Sequence, residues 1–370
     1  MKKILNIITD TNIGGAGNVL LNFMAKTDRT EFAHTVITPE NAQLTPLLRE
    51  LGVCVTEMKG IADKSLSISA VDMFRREFKR LNPDLIHTHA SLSARIAARM
   101  WDKNCPLVYT RHCAYPQSRL KKTFPVKQVM GFVNNRLADI IIAISPAARD
   151  NLVETGTNQK KIVTMFNGVE PVRKLDENEK KAIKASLGIK EGMLVCAAVA
   201  RLVPEKGHLY ILEAAGILRD LPICFVIAGS GPYEIELRAA AAGLDLKNCV
   251  FTGFVGDIAT IENIADLQLN AAYGTETSSL SLLEGMSLSV PAVVSDFGGN
   301  PFLIENGRNG LVVPQRDGTA LAAAVRKLFE DTEMLSEMGD AALQIYNTRF
   351  TAAVMTANIE NVYRTALGNR

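Results

Sequence analysis

Short apolar, strand-like runs alternate with helix-period segments from one end of the chain to the other. This alternation constrains the fold more than any other feature. Lys3–Thr9, Ala33–Thr38, Val53–Glu57, Leu85–Thr88, Leu107–Thr110, Ile140–Ile144 and Ile162–Met165 read as strands. Ala16–Ala25, Ala70–Leu81 and Leu92–Met100 read as amphipathic helices between them. The turn signal Asn167-Gly168-Val169-Glu170-Pro171 and the charged stretch Asp176–Lys184 interrupt the rhythm. It then restarts with Leu194–Ala200, Ile223–Ala228, Cys249–Gly253, Leu267–Asn270, Ala292–Ser295 and Gly310–Val313. Strands joined by helices pair in parallel, and parallel sheets need helices on both faces. A chain of 370 residues has room for about two such domains. The expected bounds are 1–172 and 173–348, with a strandless amphipathic stretch, Thr351–Ala366, inside a final segment 349–370. Open sheets of this kind bind ligands beyond the carboxyl ends of their strands. Two in tandem are therefore expected to face a central cleft.

Composition narrows the class. Hydrophobic residues are 47% and charged residues 22%, which excludes a disordered chain, a coiled coil and a collagen-like repeat. No apolar run reaches the roughly 18–20 residues of a spanning helix. The start, MKKILNIITD, meets Asn6 and Asp10 too early for a signal peptide. The six cysteines are scattered without a CxxC pair, as expected of reduced core residues in a cytoplasmic protein. Residues 1–175 carry 25 Lys and Arg against 15 Asp and Glu, and the remainder 16 against 24. A basic half beside an acidic half hints that one half meets something anionic. Arg75, Arg76, Lys79 and Arg80 form one basic cluster, and Arg119, Lys121, Lys122 and Lys127 another. Solvated helix faces would give the same pattern.

Several loops sit where strands end. After the first strand comes Asp10-Thr-Asn-Ile-Gly14-Gly15-Ala-Gly17. Its glycines would let backbone approach a ligand, and the next helix start favours an anion. The spacing is not GxGxxG, which disfavours a nicotinamide site; a plain tight turn remains open. After Leu194–Ala200 come Arg201 and Lys206-Gly207, two cations near a helix start, as a diphosphate would need. Glu276 and Glu284 bracket an apolar stretch. On one continuous helix they would stand about 12 Å apart. That exceeds the roughly 5–9.5 Å of a hydrolytic carboxylate pair, so two separate hydroxyl-binding carboxylates are expected. Gly298-Gly299-Asn300-Pro301 looks like another anion-binding helix start, and Gly229-Ser-Gly-Pro232 like a mainly structural turn. His89 and His112 are the histidines placed at strand ends, with no third ligand at metal spacing.

In this order the landmarks resemble the retaining family 4 glycosyltransferases, which have the GT-B fold of two Rossmann-like, doubly wound parallel-sheet domains. The resemblance spans Gly14-Gly15, His112, Ser145-Pro146, Asn167-Gly168-Val169, Arg201 with Lys206-Gly207, Gly229–Pro232, Gly253-Phe254, the Glu276–Glu284 pair and Gly298-Gly299. It implies that Arg201 and Lys206 bind the donor diphosphate, that Glu284 holds the ribose and that Glu276 faces the donor sugar. It also implies that Gly14 and Gly15 approach the phosphate and that His112 contacts the sugar. Gly229, Gly253 and Phe254 would lie along the nucleotide, with Ser279 and Leu280 also on the donor. The last helix would cross back to the first domain. Many relatives carry Gly-Phe-Gly where this chain has Thr277-Ser278-Ser279, so the transferred sugar is open.

The implied reaction moves a sugar from a UDP- or GDP-sugar to a hydroxyl acceptor with retention. No cofactor or metal is expected. Two fixed cations would stabilise the charge gathering on the diphosphate. A sugar-nucleotide 2-epimerase of similar fold and a non-catalytic nucleotide-sugar binder are the alternatives. Within 119–132, Arg119, Lys121, Lys122 and Lys127 interleave with Phe124, Val126, Val129, Met130 and Phe132. That mixture suits an anionic membrane interface. The expectation is a cytoplasmic enzyme, peripheral at the inner membrane face, acting on a lipid-linked or cell-envelope saccharide. No nucleic-acid partner is expected.

Overall fold

The computed structural model describes residues 1–114 and 123–368. The chain divides into two compact units, Met1–Gly168 with Ala352–Arg370, and Val169–Thr351. The first unit holds β1 (Lys2–Ile8), β2 (Phe32–Pro39), β3 (Cys54–Met58), β4 (Leu85–His89), β5 (Leu107–Arg111), β6 (Ile140–Ala143) and β7 (Ile162–Thr164). They form one sheet in the order β3-β2-β1-β4-β5-β6-β7, with every pairing parallel. The strand order reverses between β1 and β4, whose register sets Asn6 beside His87 and Ile8 beside His89.

Burial explains the strand sequences. Ile4, Leu5, Ile7 and Ile8 are all buried, because helices cover both faces of a parallel sheet and the strand becomes a nearly continuous apolar run. The helix Ile68–Leu81 starts at Ser67, whose side chain accepts from the Ala70 N–H, satisfying a helix-start donor. It buries Ala70, Phe74 and Phe78 at four-residue spacing. Each such phenylalanine contributes about 1.5–3 kcal/mol through burial.

The second unit holds β8 (Leu194–Val199), β9 (Ile223–Ala228), β10 (Cys249–Gly253), β11 (Leu267–Asn270), β12 (Ala292–Ser295) and β13 (Gly310–Val313). Their order is β10-β9-β8-β11-β12-β13, again all parallel, with the reversal between β8 and β11. The charged stretch Asp176–Lys184 forms most of a helix, Glu177–Ser186, opened by a capping box between Asp176 and Glu179.

The helix Ala352–Gly368 belongs to the first unit. It buries Met355, Ile359, Val362, Tyr363 and Ala366, an apolar stripe at helical spacing. The Tyr363 ring lies edge-on to Phe23 and Phe32, with centroids 5.9 and 5.7 Å away.

Candidate active site

In each unit the strand order reverses once, and in a doubly wound sheet ligands bind beyond the strand ends at that reversal. In the second unit the loops after β8 and β11 flank it. Arg201 lies just past β8, exposed, and makes no ion pair among the described residues. Lys206 closes the short turn Pro204–Lys206. Gly207 follows at φ +74°, where a Cβ would overlap the Ala271 carbonyl just past β11. Only glycine lets the two loops approach this closely.

That approach brings the Lys206 Nζ to 2.8 Å from Glu276 Oε2, with the two side chains 19% and 5% exposed. Asn270, the last residue of β11, donates to the same oxygen at 3.0 Å. The Thr277 N–H donates to Oε1 at 3.2 Å. Asn300 is fully buried and donates to Ser295 Oγ at 3.1 Å and Asn270 Oδ1 at 3.3 Å. The Glu276 carboxylate therefore has three donors and one orientation, with Asn270 fixed from behind by Asn300.

Gly298-Gly299 corrects an expectation. The Gly299 N–H donates to the Glu276 carbonyl at 3.1 Å, and the helix that follows, Asn300–Leu303, has only four residues. A Cβ at Gly298 or Gly299 would overlap the carbonyls of Glu276 and Thr277. This pair buttresses the Glu276 loop and offers no open anion-binding start. Gly229 has a structural reason too: at φ +139° a Cβ would overlap the Ala200 carbonyl. Gly253 has φ +71° with open space around it, and Phe254 beside it is 80% exposed.

Glu276 and Glu284 do not share a helix. Only Leu280–Met286 is helical, with Ser279 at its start. Ser279 Oγ lies 3.0 Å from Ser281 Oγ, which donates to the Val199 carbonyl at 3.1 Å, tying this segment to the end of β8. Burial pushes the Glu284 carboxyl up to about 7. The nearby Glu262 carboxyl is also pushed up, chiefly by burial and in small part by Glu284.

In the first unit, Gly14 and Gly15 start the helix Gly15–Lys26 beyond β1, and a Cβ at either would meet nothing within 4 Å. Nothing in the fold itself requires glycine there. The loop is braced by Asp63, which accepts from the Thr11 N–H at 3.0 Å and hydroxyl at 2.7 Å. His112 follows β5, and its Nε2 lies 2.8 Å from Nδ1 of His89, the last residue of β4. The His89 ring in turn lies 4.4 Å from that of His87. Burial lowers His112 and His34 to about 4 and His87 to about 3, and holds His89 well below the usual range.

With this geometry, the comparisons decide the family. Residues 13–173 match the description Glycosyltransferase Family 4, and residues 179–344 match Glycosyl transferases group 1. The chain belongs to the family 4 glycosyltransferases. The enzyme is 24% identical over 347 residues to the UDP-Gal:alpha-D-GlcNAc-diphosphoundecaprenol alpha-1,3-galactosyltransferase of Escherichia coli, covering 89% of this chain and 88% of that one. It is 23% identical over 307 residues to the N-acetyl-alpha-D-glucosaminyl L-malate synthase of Bacillus anthracis, covering 81% and 78%. Among solved structures it resembles Anabaena Alr3699/HepE in complex with UDP, at TM-score 0.85 and 21% identity, covering 99% of this chain and 100% of that one. This likeness establishes the GT-B fold.

The structure adds residues to this glycosyltransferase that the motifs had not marked. Asn270 and Asn300 orient Glu276; His89, already marked by its place at a strand end, bonds His112. Asn270 ends a strand at the reversal point, and that position alone was a usable signal. The Asn300 role depends on a loop contact that spacing does not encode. Among the described residues no helix is long and apolar enough to cross a membrane, and no three His, Cys, Asp or Glu side chains cluster as metal ligands would.

Proposed function

We propose that this family 4 glycosyltransferase transfers a sugar from a UDP- or GDP-sugar to a hydroxyl of a lipid-linked or cell-envelope saccharide, with retention and without a metal. The observation that carries this reading is the Lys206–Glu276 pair beside the free Arg201 at the β8–β11 reversal. Arg201 and Lys206 bind the donor diphosphate. As the bond from the anomeric carbon to the phosphate oxygen breaks, its electron pair stays on that oxygen, and the two cations stabilise the charge. The acceptor oxygen attacks the same face, and its proton passes to the leaving phosphate. Glu276 orients the donor sugar, and Glu284 accepts the ribose hydroxyls. Ser279 and Leu280 support the donor, Gly229, Gly253 and Phe254 line the nucleotide, and Gly14, Gly15 and His112 contact the phosphate and sugar. Complexes of Anabaena Alr3699/HepE with UDP and with UDP-glucose support a nucleotide-sugar donor. The Escherichia coli relative's named diphosphoundecaprenol substrate supports a lipid-linked acceptor.

The membrane part rests on Phe124, Val129 and Phe132, which are 79%, 60% and 68% exposed. Lys127 lies among them on the helix Val126–Arg136, while Arg119, Lys121 and Lys122 fall outside the described residues. Such a face suits a cytoplasmic enzyme resting on the inner membrane surface.

The test pairs UDP- and GDP-sugars with an undecaprenyl-diphosphate saccharide, and proton NMR reads the new anomeric centre. Retention, at a rate unaffected by EDTA, is expected. Inversion, or a rate abolished by EDTA and restored by Mg²⁺, overturns the corresponding part. An epimerised donor formed without acceptor would favour the 2-epimerase reading. Co-sedimentation with anionic vesicles that Phe132→Ser and Val129→Ser abolish is expected; protein left in the supernatant with every vesicle overturns the membrane part.

A further inference from the structure

A directed chain of hydrogen bonds runs through the first unit beneath the candidate sugar-contacting histidine. Thr27 donates to Glu360 Oε1 at 3.0 Å, so its hydroxyl oxygen accepts from His34 Nε2 at 3.0 Å. His34 Nδ1 then accepts from the Asn6 amide at 3.1 Å. The Tyr363 hydroxyl donates to Asn6 Oδ1 at 3.3 Å. It must therefore accept from His87 Nδ1 at 2.7 Å, which leaves His87 Nε2 to accept from the Thr110 hydroxyl at 2.7 Å. Fixed neighbours thus set the tautomers of His34 and His87.

His89 and His112 share one proton across their 2.8 Å contact. Each ring keeps one further nitrogen, His89 Nε2 and His112 Nδ1, buried and without a partner. Two arrangements are open to neutral rings. If His112 Nε2–H donates, His89 must carry its other proton on Nε2, where it is buried with no acceptor. If His89 Nδ1–H donates, His89 Nε2 is a bare acceptor, and the unpartnered N–H moves to His112 Nδ1. A buried N–H with no acceptor is the costlier orphan. The second arrangement leaves the buried His89 without an orphan N–H and places it instead on His112, the half-buried residue beyond the strand end.

We propose that His89 is a positioning residue that holds His112 as the Nδ1–H tautomer, so that His112 donates a hydrogen bond to an acceptor oxygen of the donor sugar, a hydroxyl or an amide carbonyl. This rests on the reading of His112 as a sugar contact. It assigns the direction of that bond and a role for His89 outside the sugar-contacting set. The His87 ring packs against that of His89 and bonds Tyr363, so the terminal helix anchors the assembly.

Long-range ¹H–¹⁵N correlation spectra of the full chain test this, because they distinguish a protonated ring nitrogen from a bare one. The chain has five histidines, so single substitutions assign the signals. His112 is expected to carry its proton on Nδ1. His89→Phe keeps a ring but no donor; it should mix the His112 tautomers and lower kcat about tenfold with KM changed less than threefold. His89→Asn keeps an amide N–H near the Nδ1 position and should restore the tautomer and most of kcat. A wild-type His112 protonated on Nε2, or a His112 signature unmoved by His89→Phe, overturns the inference. Full turnover by His112→Phe, with the tautomer as expected, instead sinks the sugar-contact reading.

Discussion

The two strand-order reversals hold their polar groups in opposite ways. In the second unit a lysine and a glutamate form an ion pair, steadied by amides. In the first unit the buried groups are four histidines kept neutral by burial and linked by hydroxyls, an amide and one tyrosine. An ion pair suits a site that must meet a dianionic diphosphate, because its charge is already in place when the ligand arrives. A neutral relay suits a site that must donate or accept single hydrogen bonds without attracting charge. The glycines divide the same way. Those at Gly207, Gly298 and Gly299 are demanded by neighbouring carbonyls, whereas Gly14 and Gly15 face open space. One set lets the protein's own loops approach; the other leaves room for a ligand.

The sharpest way to break this comparison is to remove one cation at a time. Lys206→Ala should lower turnover about a hundredfold or more and also lower the melting temperature, because Glu276, 5% exposed, loses its cation. Arg201→Ala should cost at least about tenfold in turnover with the melting temperature unchanged, because its guanidinium bonds no group among the described residues. Equal melting losses in both variants, or wild-type turnover in either, would contradict the assignment.

Acid should separate the units next. An unfolded histidine titrates near 6.5, while His34 and His112 do so near 4 and His87 near 3 in the folded chain. Below pH 6.5 the unfolded chain therefore binds protons that the folded one refuses. Stability falls as pH drops toward 4, by up to about 1.4 kcal/mol per pH unit for each histidine. Asp10, raised by burial, opposes this weakly. In the second unit the signs mix. His208, lowered to about 4, loses stability in acid, while Glu284, raised to about 7, gains it. Trp101 is the only tryptophan and belongs to the first unit, so its fluorescence follows that unit alone. From pH 7 to 5 its melting transition should fall further than exchange protection of β11 and β12. Equal losses would show that the histidines are not held neutral by the first unit's fold.

Much of this was legible in the residues, and the reason is periodicity. Every strand read from an apolar run exists within a residue or so, because helices cover both faces of each sheet and leave the runs nearly uninterrupted. Arg201, Lys206, Glu276 and His112 stand out in the sequence as chemistry-bearing residues beyond strand ends, and each lies in a loop that follows β8, β11 or β5. What stayed hidden was contact between loops distant in sequence. Gly298-Gly299 looked like a phosphate loop, and only the three-dimensional path of the Glu276 carbonyl reveals it as a brace. The eight-residue spacing of Glu276 and Glu284 suggested one helix, but the Lys206 and Asn270 bonds to Glu276 belong to a non-helical loop ahead of it. His87, His34, Tyr363 and Glu360 belong to no sequence motif, and their chain depends on a helix more than 250 positions later in sequence.

The smallest effect concerns Glu284 and sharpens the contrast between charged and neutral sites. Its folded value of about 7 exceeds the ordinary 4.3 of an unfolded glutamate. It therefore contributes stability that is full below pH 4.3 and is lost as pH rises through 7. A carboxylate that grips ribose hydroxyls must be ionised to accept both, so a bound nucleotide sugar favours the form that the empty fold disfavours. Affinity should then rise as pH climbs from 6 to 8, by up to about tenfold, the change in ionised fraction for a group titrating near 7. A nucleotide sugar is the right probe, since its phosphodiesters do not titrate in this range, and the histidines, all lowered, contribute nothing there. Isothermal titration at pH 6, 7 and 8 reads the slope. Glu284→Gln should bind more weakly at pH 8 and show no slope, and its stability should rise more steeply than the wild type's between pH 5 and 7, because the opposing loss from Glu284 is gone. A wild-type affinity flat across the range, or a slope that persists in Glu284→Gln, would remove Glu284 from the ribose site and leave it as a buried acid that pairs poorly with Glu262.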